Sequence, residues 1–151
     1  MLICLSRRLC VSVADFRVFQ QPARRRVNSS TEEAAIRETI DYYAEGMRTG
    51  SVETLKQGFH QQAILCGYLG EEMIAAPIEG LYDWVNSNPA PAVTGEIFSC
   101  STLVIEVTGR VATATVRETG HEGDVIDYFH LLKDENRWWI VSKLWDDEPK
   151  N

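Results

Sequence analysis

The spacing of apolar residues changes character along this chain, from helical periods in the first half to strict alternation in the second. Ile36, Ile40, Tyr43 and Met47 recur at steps of four, three and four, which puts them in one stripe of a helix. Glu32, Arg37, Glu38, Asp41, Glu45 and Arg48 fall on its other faces. Ser30 and Glu33 have the spacing of a capping box, so the helix is expected to begin near Thr31, and Gly50 supplies a left-handed stop. Ser51 can cap a second, shorter helix in which Val52, Leu55 and Phe59 share a face and which ends near His60. The short apolar run 63–69 reads as a buried strand, and 71–76 continues extended. Pro77 suits the first turn of a third helix whose buried side is Ile78, Leu81, Trp84 and Val85, with 86–93 ending it.

From Thr94 onward the period is two. Ile97, Ser99, Ser101, Leu103, Ile105 and Val107 alternate with Glu96, Phe98, Cys100, Thr102, Val104 and Glu106, and a turn at Gly109 leads into 111–119. After a turn from Gly120 to Gly123, 124–133 and 137–145 form the last two strands. Asp134, Glu135 and Asn136 suit a three-residue hairpin loop with Asn136 in the left-handed position. That register sets Asp127 opposite Lys143, Phe129 opposite Val141 and Leu131 opposite Trp139, with Tyr128 and His130 sharing the other face with Ile140 and Ser142. The predicted fold is α+β in the order α-α-β-α-β-β-β-β: three helices packed on a strongly curved, mainly antiparallel sheet, a cone-like roll enclosing a pocket.

Length and composition fit one globular domain, expected over 30–147, between an N-terminal tail (1–29) and a short C-terminal tail (148–151). The net charge of -7 is unevenly spread: residues 1–27 hold six Arg against one Asp, whereas the remainder holds nine basic residues against 21 acids. An acidic body repels phosphate backbones, so no nucleic-acid partner is expected. Arg7 and Arg8 interrupt the apolar run that a secretory signal would need, and no stretch approaches the ~20 apolar residues of a membrane span, so no membrane partner is expected either. Cys4 and Cys10 lie in the tail, while Cys66 and Cys100 sit in apolar runs as small core thiols, which fits a cytoplasmic location.

The first helix ending in YYAEGMRTG, the second closing on FHQQAIL, and the terminal hairpin DYFHLLKDENRWWIVSKLW together resemble the nuclear-transport-factor-2-like superfamily. The likeness covers about residues 31–147, and the ending is closest to the lumazine-binding-like branch, more loosely to the SnoaL-like and ketosteroid-isomerase-like ones. The resemblance implies a cystatin-like cone and a homodimer formed through the outer face of the sheet. It does not carry steroid-isomerase chemistry across, because the strand 63–69 contains neither Asp nor Glu where that pattern places its proton-shuttling acid.

Among the three histidines, His60 is expected at the mouth of the cone, His130 in mid-strand beside Tyr128, and His121 in an exposed turn. His60, His130 and Asp127 are the candidate catalytic groups, since acid–base work near neutral pH favours a histidine oriented by a carboxylate. Tyr43, His60, Trp84, Tyr128 and His130 are the candidate ligand contacts, while Asp127 and Lys143 read first as a structural ion pair. No phosphate-binding loop, metal-ligand spacing or serine-hydrolase elbow is present, so neither a metal nor a cofactor is expected. The function expected is binding of a small apolar or aromatic compound, with a cofactor-independent isomerase or dehydratase as the alternative and a purely structural dimer as the third.

Overall fold

The structure is a computed structural model, which describes residues 29–120 and 123–147. Helix α1 (Ser29–Thr49) buries Ile36, Ile40 and Tyr43, the predicted stripe, and its start at Ser29 leaves Ser30 helical instead of capping. Gly50 ends it at φ 69°, and the Ala90 methyl lies 2.9 Å from where a Cβ on Gly50 would stand, so conformation and close approach both require glycine there. Ser51 caps α2 (Val52–Gly58), its hydroxyl accepting the Thr54 N–H at 3.2 Å.

Strand β1 (Phe59–Leu69) begins earlier than its apolar run suggests, so Phe59 and His60 are strand residues and not the end of a helix. It turns back into β2 (Glu72–Pro77), which closes on Pro77. The third helix, α3 (Glu79–Ser87), starts two residues later than Pro77 implied, and a single further turn, α4 (Pro91–Thr94), precedes the long strands. These are β3 (Ser99–Thr108), β4 (Val111–Gly120), β5 (Gly123–Asp134) and β6 (Arg137–Asp147).

The six strands form one sheet in the order β2-β1-β6-β5-β4-β3, antiparallel except where β1 runs parallel to β6. Three irregularities bend it: one in β1 between Phe59 and Ile64, one at Leu103 in β3 and one at Val141 in β6. Each inserts a residue or more that the partner strand does not match, which increases local twist and curls the sheet around α1. On the concave face Ala112, Ala114, Val116, Phe129, Leu131, Trp138 and Ile140 meet Ile36, Ile40, Tyr43 and Leu55.

The bulges also correct the predicted faces. Leu103 is the extra residue in β3, so Cys100 and Thr102 face inward together with Ile105 and Val107, and strict alternation fails in the middle of the strand. The last hairpin turns on two residues, Glu135 and Asn136, with Glu135 left-handed at φ 52° in place of Asn136. Leu131 therefore pairs with Ile140; beyond the Val141 bulge, Phe129 pairs with Lys143 and Asp127 with Trp145. Asp127 and Lys143 are diagonal neighbours on the same face and not a direct rung, yet they make the predicted ion pair at 2.8 Å. Ile140, expected to share a face with Tyr128 and His130, pairs with Leu131 on the other face and is fully buried.

Candidate functional site

Four polar side chains meet inside the cone near the C-terminal half of α1. The Tyr43 hydroxyl lies 2.8 Å from Asp127 Oδ2 and 3.0 Å from Lys143 Nζ, and it makes a short hydrogen bond with Glu118 Oε2. Asp127 is fully buried and Lys143 nearly so. Helical spacing brings Tyr43 inward below Ile40, and strand parity brings Glu118 inward with Ala114 and Val116. The bulge at Val141 restores Lys143 to the inner face after Ile140 has occupied it.

One phenolic proton cannot serve two carboxylates. With Lys143 donating to the Tyr43 oxygen and Tyr43 donating to Asp127, the contact with Glu118 is a hydrogen bond only if Glu118 itself carries a proton. Burial raises the Glu118 carboxyl above its usual range, and the Asp127 charge raises it further; Lys143 and the Tyr43 hydrogen bond pull less strongly the other way. The geometry and this direction agree: Lys143 balances Asp127, and Glu118 is the carboxyl of the cluster whose proton affinity is raised. The Tyr43 phenol is pushed far above its ordinary value, by burial first and by Asp127 and Glu118 next, so it remains a hydroxyl. Burial and the same two acids push the neighbouring Cys100 thiol up to about 12, which keeps it protonated. Asp127 Oδ1 lies within ion-pair distance of Lys143 but off hydrogen-bond geometry, and is a buried acceptor without a hydrogen-bond partner.

Glu118 also reaches a small cleft of about 30 Å³ bordered by Met47, Trp84, Val85, Pro89 and Phe98. That volume holds about one water molecule. The expected roomy interior is occupied by Tyr43, Phe59 and Phe129, whose rings pack edge to face with centroids 5.1–6.3 Å apart. A second hollow, an open groove of about 470 Å³, lies at the start of β1 between Lys56, His60, Glu79, Tyr82, Asp134 and Trp139. It shares no lining residue with the cleft.

Of the residues singled out from sequence, Tyr43 and Asp127 come together in the buried cluster, and Trp84 borders the cleft while remaining 45% exposed. His60 is in the open groove, edge-on to Trp139 at 6.4 Å. His130 and Tyr128 point away from the interior: both are exposed on the convex face, where His130 Nδ1 is 2.9 Å from Ser142 Oγ. The strand parity that buries Asp127 and Phe129 necessarily turns their neighbours outward. Cys66, expected in the core, is half-exposed on that convex face beside Leu144, and His121 lies outside the described residues.

Glu118 was missed, although its signal was present, since VATATVRE places residue 118 on the same parity as the apolar Ala112, Ala114 and Val116. Glu32, placed from sequence off the apolar stripe, is buried at the other end of the sheet, where it accepts from Lys133 Nζ at 2.6 and 2.8 Å and from Trp138 Nε1 at 2.7 Å. Among the described residues no group of His, Cys, Asp and Glu is arranged to hold a metal ion, and no helix is long and apolar enough to cross a membrane.

A family model described as "Putative lumazine-binding" matches residues 31–146. An aldolase, FrzH, of a Cladobotryum species is 29% identical over 124 residues, covering 81% of this chain and 96% of the relative. A nuclear transport factor 2-like protein of unknown function from Methylobacillus flagellatus KT is 30% identical, with a TM-score of 0.71 over 80% of this chain and 94% of that one. Its counterpart from Shewanella baltica OS155 is 26% identical, with a TM-score of 0.72 over 82% and 99%. With the curled sheet, the helix order and a family model spanning nearly the whole described body, this chain belongs to the putative lumazine-binding family of the nuclear-transport-factor-2-like superfamily.

Proposed function

We propose that the cleft at Glu118 binds a small apolar or aromatic carbonyl compound and that Glu118 moves a proton on it without a cofactor. The observation that carries this reading is the Tyr43 hydroxyl shared among Glu118, Asp127 and Lys143, one hydrogen bond behind the cleft. A carboxyl whose proton affinity is raised is a stronger base when ionised than an ordinary carboxylate, and it holds its proton to higher pH. The ionised form takes a proton from the carbon next to the carbonyl, leaving an enolate and a protonated Glu118, which returns the proton to carbon or to oxygen. Tyr43, tied to Asp127 and Lys143, positions Glu118, whose affinity is raised chiefly by burial. The same enolate would be the nucleophile of an aldol reaction, the activity named for the Cladobotryum relative.

A cleft of about 30 Å³ is too small for such a compound, so binding displaces the segment 88–98 that covers it. Ala90 of that segment is buried, while Val93 and Ile97 stand 79% and 82% exposed. The test is exchange of carbon-bound hydrogen for deuterium, followed by NMR, across aryl ketones, methyl ketones and aldehydes. Exchange above buffer is expected, with a loss of roughly 100-fold or more in Glu118→Gln. Equal exchange by that variant overturns the reading. Compounds that raise the melting temperature without exchanging would make this a binding site without chemistry.

We also propose a homodimer through the convex face. Ile64, Tyr68, Val104, Tyr128, Leu132 and Leu144 are each 42–53% exposed there, and the register places Leu144 beside both Tyr128 and Cys66. Exposed apolar side chains gathered on one sheet face in this way mark an interaction site. Sedimentation should give a dimer that Leu144→Asp converts to monomer; a monomeric wild type sinks the proposal.

A further inference from the structure

We infer that the open groove beside His60 is a separate binding site, for a protonated amine that carries a flat aromatic body. At about 470 Å³ the groove is in the size range of small-molecule sites. Its floor is apolar, formed by buried Phe59 and Ile78, and its walls are the Tyr82 ring from α3 and the Trp139 ring from β6. Both rings already attract cations: Lys56 Nζ stands 5.8 Å from the centre of Tyr82, and the Arg137 guanidinium 4.2 Å from the centre of Trp139.

Lys56 also lines the groove, and each of these two cations already has a partner. Lys56 pairs with Glu53 at 3.1 Å, and Arg137 donates to the carbonyl of Gln57. The carboxylates of Glu79 and Asp134, which also line the groove, face no cation within ion-pair distance among the described residues. Two aromatic walls, an apolar floor and two carboxylates without an ionic partner are complementary to an arylalkylammonium ion. An anion would meet Glu79 and Asp134, and a neutral compound would leave their charge unused. The site is independent of the chemistry proposed at Glu118, with which it shares no residue.

The probe is phenethylammonium, compared with 2-phenylethanol and phenylacetate in proton–nitrogen NMR titrations of the full chain, with the Trp139 indole N–H assigned through Trp139→Phe. The ammonium should shift the Trp139 signal saturably, the alcohol more weakly and the carboxylate least. Glu79→Gln and Asp134→Asn, both surface changes, should each weaken binding about three- to fivefold. Glu118→Gln should leave it unchanged. No saturable shift with the amine at millimolar concentration, equal shifts with phenylacetate, or undiminished binding in both surface variants would each overturn the assignment.

Discussion

The hydroxyl of Tyr43 on α1 sits 2.8 Å from Oδ2 of Asp127 on β5, joining the first helix to a strand 84 residues later at the fully buried centre of the fold. Phenylalanine at position 43 keeps the ring packing against Phe59 and Phe129 and removes only the oxygen. It leaves Asp127, Glu118 and Lys143 each short of a partner. Tyr43→Phe should therefore cost about 1–3 kcal/mol, read as a lower urea midpoint at unchanged slope.

The ion pair behind that hydroxyl separates attraction from desolvation. Lys143→Met strands the Asp127 charge in the interior and should cost roughly 3–5 kcal/mol. Adding Asp127→Asn removes the stranded charge, so the double variant should be more stable than Lys143→Met alone. A double variant less stable than the wild type would mean that the pair contributes net stability beyond the cost of burying it. Chemical denaturation of the four proteins measures the coupling.

Stability should depend on pH through Glu118 in the direction opposite to an ordinary paired carboxylate. Its folded-state proton affinity is raised, chiefly by burial. Its contribution is therefore complete below the ordinary value of 4.5 and is lost as pH rises through the raised folded value. Glu118→Gln imitates the protonated acid. It should match the wild type near pH 4 and exceed its melting temperature at pH 8, by about 3–5 °C for each kcal/mol gained. A difference that does not grow with pH would place the proton elsewhere in the cluster.

Glu32 gives the opposite sign. The hydrogen bond from Lys133 holds its carboxyl below the usual range, with the Trp138 indole helping against desolvation. Its contribution is present above 4.5 and disappears as pH falls through the lowered folded value. Glu32→Gln should cost roughly 1–2 kcal/mol at pH 7, and the difference from wild type should shrink in acid. Melting curves from pH 7 down to pH 3 check this.

Much of this fold could be read in the sequence because helical and strand periods differ, and both are long here. The Ile36–Ile40–Tyr43 stripe and the Ser51 cap followed from local rules that tertiary packing did not override. The failures occur where a strand gains an extra residue. A bulge at Leu103 or Val141 leaves no mark in composition, yet it reverses the face of every residue beyond it. The Asp127–Lys143 pairing was reached from a register two residues away from the real one, which preserves parity. The acid sought on the first strand is absent from it, and Glu118 on β4 supplies an inward carboxyl in its place. The burial of Glu32 was missed for a different reason: a helix face is covered or open according to which strands pass over it, and Lys133 and Trp138 lie about a hundred residues further along the chain.

Gly67 offers a test of how tightly the cluster is walled. It lies on β1 against the face of Trp145, and a Cβ built on it would approach the indole to 2.2 Å. The indole is fixed from two sides, its Nε1 donating to the Tyr68 carbonyl at 2.8 Å and its ring lying 5.2 Å from Lys143 Nζ. Backbone on one side and a buried ammonium on the other leave the ring no small adjustment. Gly67→Ala must therefore expel Trp145 or bend β1 away from β6, at a cost of about 1–3 kcal/mol. If the ring is expelled, Trp145 fluorescence shifts to longer wavelength and Lys143 becomes accessible to amine-modifying reagents. If the strand bends, amide hydrogen exchange between Leu65 and Trp145 speeds up while the fluorescence stays put. A variant with unchanged stability, emission and exchange would show that the indole is not wedged against the strand.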